Sequence, residues 1–215
     1  MVHRKIEPAG YEAYFFKGAG MNTNVFDTPI GRIGVAICFD SAKTHTISSL
    51  LGARPEILLI PYSYPNWPSF LPKKDRKCWV EVFMNTPEVY AQYLHVPVVS
   101  SNKIGRFVSH IPGMKGLKID VNFISRSAIT DQDGNLVSCI SKEEGILAEE
   151  VELSKPLISA RTNIIPKGRW LLPYSTGLKL VMDTSMKLGV IRYRWSKKRK
   201  TACQVALKGH GAVTS

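Results

Sequence analysis

Of the side chains in this sequence able to do covalent chemistry, Cys38 has the most informative surroundings. It follows the apolar run Ile30–Ile37 and precedes a helix-compatible stretch from Ser41 to Leu51. In open α/β sheets, ligands gather at the carboxyl ends of strands. A helix beginning there would present free backbone N–H groups and a positive dipole end, which favour thiolate and developing oxyanion alike. The opposing interpretation is a small buried hydrophobe, the ordinary fate of a lone cysteine behind a strand. Cys78, Cys139 and Cys203 fall in helical, strand and tail contexts and read as inert thiols. The five histidines (His3, His45, His95, His110, His210) form no i, i+4 pair, so no metal site is expected. A Cys38–His110 protease pairing has no accompanying signature. Glycine-rich phosphate loops are absent, and no cofactor is expected.

The elements that must hold Cys38 follow from pattern. Val25-Phe26, a turn at Thr28–Gly31 and the run to Ile37 predict a hairpin leading into a buried strand. The helix from Ser41 to Leu51 is expected to close on Gly52. Ile57–Ile60 is a continuous apolar run, as expected of a strand covered on both faces. An aromatic, proline-rich loop follows, Pro61–Pro68, carrying Tyr62, Tyr64 and Trp67. The spacing of Trp79, Val82, Phe83, Tyr90 and Leu94 predicts helix over 73–95, interrupted before Pro87. Val96–Asn102 reads as another buried strand and Gly105–Lys118 as a loop. Segments around Ser127–Thr130 and Leu136–Ile140 flank Asp133-Gly134-Asn135, a strong hairpin signal. Ile146–Val151 gives one more strand. This order predicts an α/β fold with a mixed sheet.

Composition sets the outer limits. A chain of 215 residues, 44% hydrophobic and 21% charged, has room for one good core and an appendage. No run approaches the roughly 18–20 apolar residues of a membrane-spanning helix. The first residues carry charge with no apolar segment behind it, unlike a secretory signal. Four cysteines without C-x-x-C spacing suit free thiols in a reduced, cytoplasmic setting. The net charge of +12 is concentrated late: residues 161–215 hold 12 of the 29 Lys and Arg but only one acid, Asp183. We therefore expect a body over 1–155 and a basic extension over 156–215. Residues 192–200 mix cations with Tyr193 and Trp195, leaving three destinations open: a solvated extension, an anionic membrane or partner, or nucleic acid.

A wider pattern bears on Cys38. Arg4-Lys5, then Glu12 with Phe15, Gly18 and Gly20, then Gly31-Arg32-Ile33-Gly34-Val35-Ala36-Ile37-Cys38-Phe39-Asp40 occur in order. They are followed by Gly52-Ala53, Pro61, Pro87 with Tyr90-Ala91, Pro97-Val98-Val99 with Asn102, and Asp131 with Gly134. The sequence resembles the nitrilase superfamily of carbon–nitrogen hydrolases over about residues 3–152. The cysteine motif and the lysine about thirty residues before it are the specific parts.

The resemblance implies an α-β-β-α sandwich, with that sandwich's amino-terminal strands and helices unaccounted for in these residues. It implies that Cys38 attacks an amide, carbamoyl or nitrile carbon and forms an acyl-enzyme. Lys5 and the backbone N–H of Phe39 would stabilise the oxyanion, and Glu12 would orient the lysine. Tyr62 and Trp67 either line the acyl pocket or pack beneath their loop. The family's general-base glutamate has no match here, since the only earlier carboxylate, Glu7, is too near Lys5. Where the family often has Pro-Glu after the cysteine motif, this chain reads Ser41-Ala42-Lys43-Thr44-His45. The expected function is hydrolysis of a small amide or nitrile substrate by a homo-oligomer. The alternative is an inactive fragment or pseudoenzyme acting in binding or assembly.

Overall fold

A computed structural model describes residues 2–110, 116, 118–153, 167–196 and 201. Cys203 and the basic residues 197–200 lie outside them.

The apolar runs assemble into one six-stranded mixed sheet. β1 (Val25–Thr28) and β2 (Gly31–Val35) form the expected hairpin, and β3 (Ile57–Pro61) and β4 (Val98–Ser101) join it in parallel. β7 (Arg126–Thr130) and β8 (Leu136–Ser141) complete the sheet antiparallel, in the order β1-β2-β3-β4-β7-β8. In the hairpin turn, the Asp131 carboxylate accepts the N–H groups of Asp133 and Asn135 at 2.9 and 2.8 Å.

Register puts Gly34, Leu58, Val98 and Thr130 in one fully covered row. α1 (Thr44–Ala53) and α2 (Lys73–Leu94) bury Ile47, Leu50, Phe83 and Tyr90 in the same core. The other face of the sheet, with Ile33, Val35, Ile57, Leu59 and Val99, is only half-buried. β3 is thus covered on one face rather than two.

Four expectations change in detail. α2 runs unbroken through Pro87, although proline removes the N–H that a helix needs there. Neighbouring carbonyls gain other donors: the Thr86 hydroxyl to Val82 at 2.6 Å and the Arg126 guanidinium to Met84 at 2.7 Å. Thr86, Pro87 and Tyr90 are all buried, so packing holds the helix together. α1 extends past Gly52 and ends on Arg54, which adopts the left-handed conformation at φ +53°. The stretch expected to be a loop after Gly105 contains a second, two-stranded sheet of β5 (Arg106–His110) and β6 (Lys118–Asn122). Its half-buried residues alternate along both strands, and the nearby glycines mask that period. Residues 146–151 form no strand, and Ile146 is almost fully exposed.

α3 (Thr176–Trp195) is capped by the Ser175 hydroxyl, which accepts the Leu178 N–H. Its buried stripe of Leu178, Met182, Met186 and Gly189 crosses a 3-10 helix at Gly10–Tyr14. The crossing is close. A Cβ on Gly189 would lie 2.7 Å from that of Ala13, so only glycine fits there.

Candidate active site

Cys38 sits just past β2, at the start of a 3-10 helix, Cys38–Ala42, that precedes α1. Its φ is +50°, a conformation that side chains larger than hydrogen rarely adopt. Such a backbone persists only when its surroundings enforce it. Here the Ser41 hydroxyl donates to the Cys38 carbonyl at 2.6 Å and contacts the Tyr62 hydroxyl at 3.1 Å. The Tyr90 hydroxyl in turn donates to the Ser41 carbonyl at 2.9 Å.

The thiol is buried, and burial raises its pKa above the ordinary value. Opposing this are the Lys5 ammonium and the backbone N–H groups of Ser63 and Phe39, while the Glu12 charge adds to the rise. At rest Cys38 is therefore a protonated thiol in a site equipped with donors for negative charge.

Several short-range interactions hold Lys5. The His3 ring contacts the Asn22 side chain at 2.7 Å, and the Asn22 amide donates to the Arg4 carbonyl at 3.0 Å. The Lys5 carbonyl accepts the Ala19 N–H. Gly18 permits this approach, since a Cβ there would lie 2.2 Å from the Ile6 carbonyl oxygen. Lys5 Nζ, only 14% exposed, meets Glu12 Oε2 at 2.5 Å. The same oxygen accepts the Ala9 N–H at 2.6 Å, fixing Glu12 on its 3-10 helix. Asp40 joins the segment that carries Lys5 to the cysteine turn through the backbone N–H groups of Ile6 and Glu7, both at 2.9 Å.

A cavity of about 290 Å³ opens over Cys38 and Glu12, and Lys5, paired to Glu12, is not among the residues that line it. Cys38, Phe39, Glu12 and Trp67 all line it. Tyr62 does not. It is directed into the core between sheet and α2, 5.0 Å from the Phe83 ring, while Tyr64 and Trp67 reach the cavity. Sequence reasoning missed three contributors. Ser63 brings its N–H to the sulfur from the end of β3, a position that the adjacent parallel strand makes predictable in retrospect. Asp40 was visible only as a motif letter. Val181, Met182 and Ser185 of α3 form a wall of the same cavity.

Beside the site, Lys43 is completely buried, with its ammonium 3.4 Å from the Trp170 ring centre and 4.2 Å from that of Phe39. Glu7 lies 3.9 Å away and is shared with Arg169, which also binds Asp183 of α3. Burial first, then the Arg169 charge, lower the Lys43 pKa to about 7.

This mixed α/β sheet, with a thiol at the carboxyl end of an inner parallel strand, defines the fold of the nitrilase-type hydrolases. The profile described as carbon-nitrogen hydrolase matches residues 2–155, and the chain belongs to that family. It is 28% identical over 149 residues to an N-carbamoylputrescine amidase of Solanum lycopersicum, covering 69% of this chain and 47% of that protein. An N-carbamoylputrescine amidase of Arabidopsis thaliana is 27% identical over 150 residues, with 68% and 47% covered. The chain thus spans about half the length of the curated relatives it matches. The crystal structure of a carbon-nitrogen hydrolase from Helicobacter pylori G27 shares the fold, with a TM-score of 0.55 at 19% identity. That match covers 66% of this chain and 47% of the other. Among the described residues no helix is long and apolar enough to cross a membrane.

Proposed function

We propose that this chain carries the nucleophile half of an amidase site, in which Cys38 is acylated by a small amide. The observation that carries this reading is the convergence on one cavity of a strained, buried cysteine and Glu12, the carboxylate that holds Lys5.

In the first step Cys38 Sγ bonds to the amide carbon and the carbonyl π pair moves onto oxygen. Lys5 and the N–H groups of Phe39 and Ser63 are the donors for that charge. Glu12 positions Lys5 through the 2.5 Å contact of its Oε2 with the lysine Nζ. Collapse of the intermediate breaks the C–N bond, and the amine leaves with the proton given up by the thiol. Water then attacks the thioester, releasing the acid and returning a proton to Cys38. The family relays these protons through a glutamate to which no residue of this sequence corresponds. A carbamoyl substrate, as the names of the relatives suggest, would react in the same way. A reducing cytoplasm would keep the thiol available, and self-association is expected from the family.

A second reading is a non-catalytic relative that works through binding or assembly. One observation favours it: among the described residues, Glu12 is the only carboxylate lining the cavity, and it is already engaged by Lys5. Ammonia release from a panel of amides, compared between native protein and Cys38→Ser, separates the two. Release that depends on Cys38 supports the amidase. Binding of amides without any release by the native protein supports the alternative.

A further inference from the structure

The cavity also defines what kind of acyl group would sit on Cys38. Its walls are mostly aromatic and aliphatic, with Trp67, Phe70, Trp79 and Phe107 joined by Val181 and Met182 of α3. Among the described residues that line it, Glu12 is the only charged one, and Lys5 and the Ala9 N–H already occupy its Oε2. A charged tail entering this space would be desolvated with no counter-ion to meet it. The α3 wall lies beyond residue 155, where the family match ends.

We infer that the substrate is a neutral amide with an apolar acyl group, aryl or medium-length alkyl, and that α3 sets this preference. The inference rests on the reading of Cys38 as the acylated residue. A volume of about 290 Å³ suits a phenylacetyl or hexanoyl group against the floor of the cavity. α3 can act as a wall because its buried stripe fixes it against Gly10–Tyr14 while Val181 stays 44% exposed at the cavity rim. The acyl transfer is the one written above: the S–C bond forms, the C–N bond breaks, and ammonia carries off the thiol proton.

The test titrates the full chain with phenylacetamide, hexanamide, acetamide, 4-aminobutanamide and succinamic acid. Binding is read from the fluorescence of Trp67 and Trp79, and acylation of Cys38 from mass. Affinity should rise from acetamide to hexanamide by about fourfold per buried methylene. Phenylacetamide should bind well, and both charged amides weakly. Val181→Asp, at a half-exposed position that the fold tolerates, should weaken phenylacetamide about tenfold and narrow its advantage over 4-aminobutanamide. Equal binding of acetamide and hexanamide, tighter binding of either charged amide, or no change in Val181→Asp would overturn the inference. If hexanamide binds but no amide acylates Cys38, the acylation reading falls and the apolar site stands. If acetamide acylates Cys38 while hexanamide neither binds nor reacts, the apolar site falls and the acylation reading stands.

Discussion

The carboxylate of Asp40 accepts the backbone N–H of Ile6 at 2.9 Å, tying the segment that carries Lys5 to the turn that carries Cys38. Its other oxygen takes the Glu7 N–H at the same distance, and Asp40 itself is fully buried. Two residues 33 and 34 positions away in sequence are thus fixed by one side chain.

Asp40→Asn retains one acceptor oxygen and leaves one buried N–H facing an amide donor. The loss should destabilise the chain by about 1–3 kcal/mol in urea unfolding. It should also slow acylation of Cys38, because Lys5 loses its anchor. Unchanged stability and unchanged acylation would show that the segment 5–7 is held by other means.

Lys5→Ala removes the largest influence favouring the Cys38 thiolate. The thiol is already above its ordinary pKa through burial, so iodoacetamide alkylation of the native protein should climb only at pH values above the usual thiol range. In Lys5→Ala the whole profile should move to still higher pH. Acylation by amides should fall by about 10²–10³, the usual effect of losing one oxyanion donor. A profile that does not move would remove Lys5 from the electrostatics of the site.

Lys43 should make stability depend on pH in the neutral to alkaline range. Its native pKa is about 7, below the ordinary 10.5, so between these values the unfolded chain binds more protons than the native one. Stability therefore rises as pH increases from about 7 towards 10, and the full penalty of charging Lys43 is felt below pH 7. Lys43→Met keeps the contact with Trp170 and Phe39 without a buried charge. Urea midpoints of this variant should lose that rise between pH 7 and pH 9. An identical slope in both proteins would mean that Lys43 titrates normally.

Gly189→Val tests whether α3 supports the site. The added side chain collides with Ala13, on the 3-10 helix that carries Glu12. Overpacking of this kind costs about 1–3 kcal/mol. The expected signature is a lower urea midpoint together with slower Cys38 acylation, whereas Gly52→Val, at a glycine with open space around it, should affect neither acylation nor the site.

The alternation of strands and helices was legible in the sequence because apolar runs such as Ile57–Ile60 and the turn at Asp131–Asn135 are local signals. Cys38 was legible for the same reason, since its strand and motif are contiguous. What escaped depends on distant contacts. Pro87 reads as a helix break because Arg126, which donates to the carbonyl of Met84, is 42 residues along the chain from that carbonyl. Ser63 and Met182 carry no motif, and only folding brings them to the thiol or its cavity. Tyr62 and Trp67 look alike in the loop, yet the first is held against Phe83 and the second is left to the cavity. The two-stranded sheet of β5 and β6 was obscured by glycines that suggest a loop.

The most direct test of the central claim is to trap the acyl-enzyme. Native protein is incubated with phenylacetamide and hexanamide, quenched in acid, and mapped by peptide mass spectrometry alongside Cys38→Ala. The account predicts an acyl adduct on the peptide containing Cys38, reduced in Lys5→Ala and absent in Cys38→Ala. An adduct that persists in Cys38→Ala would contradict it.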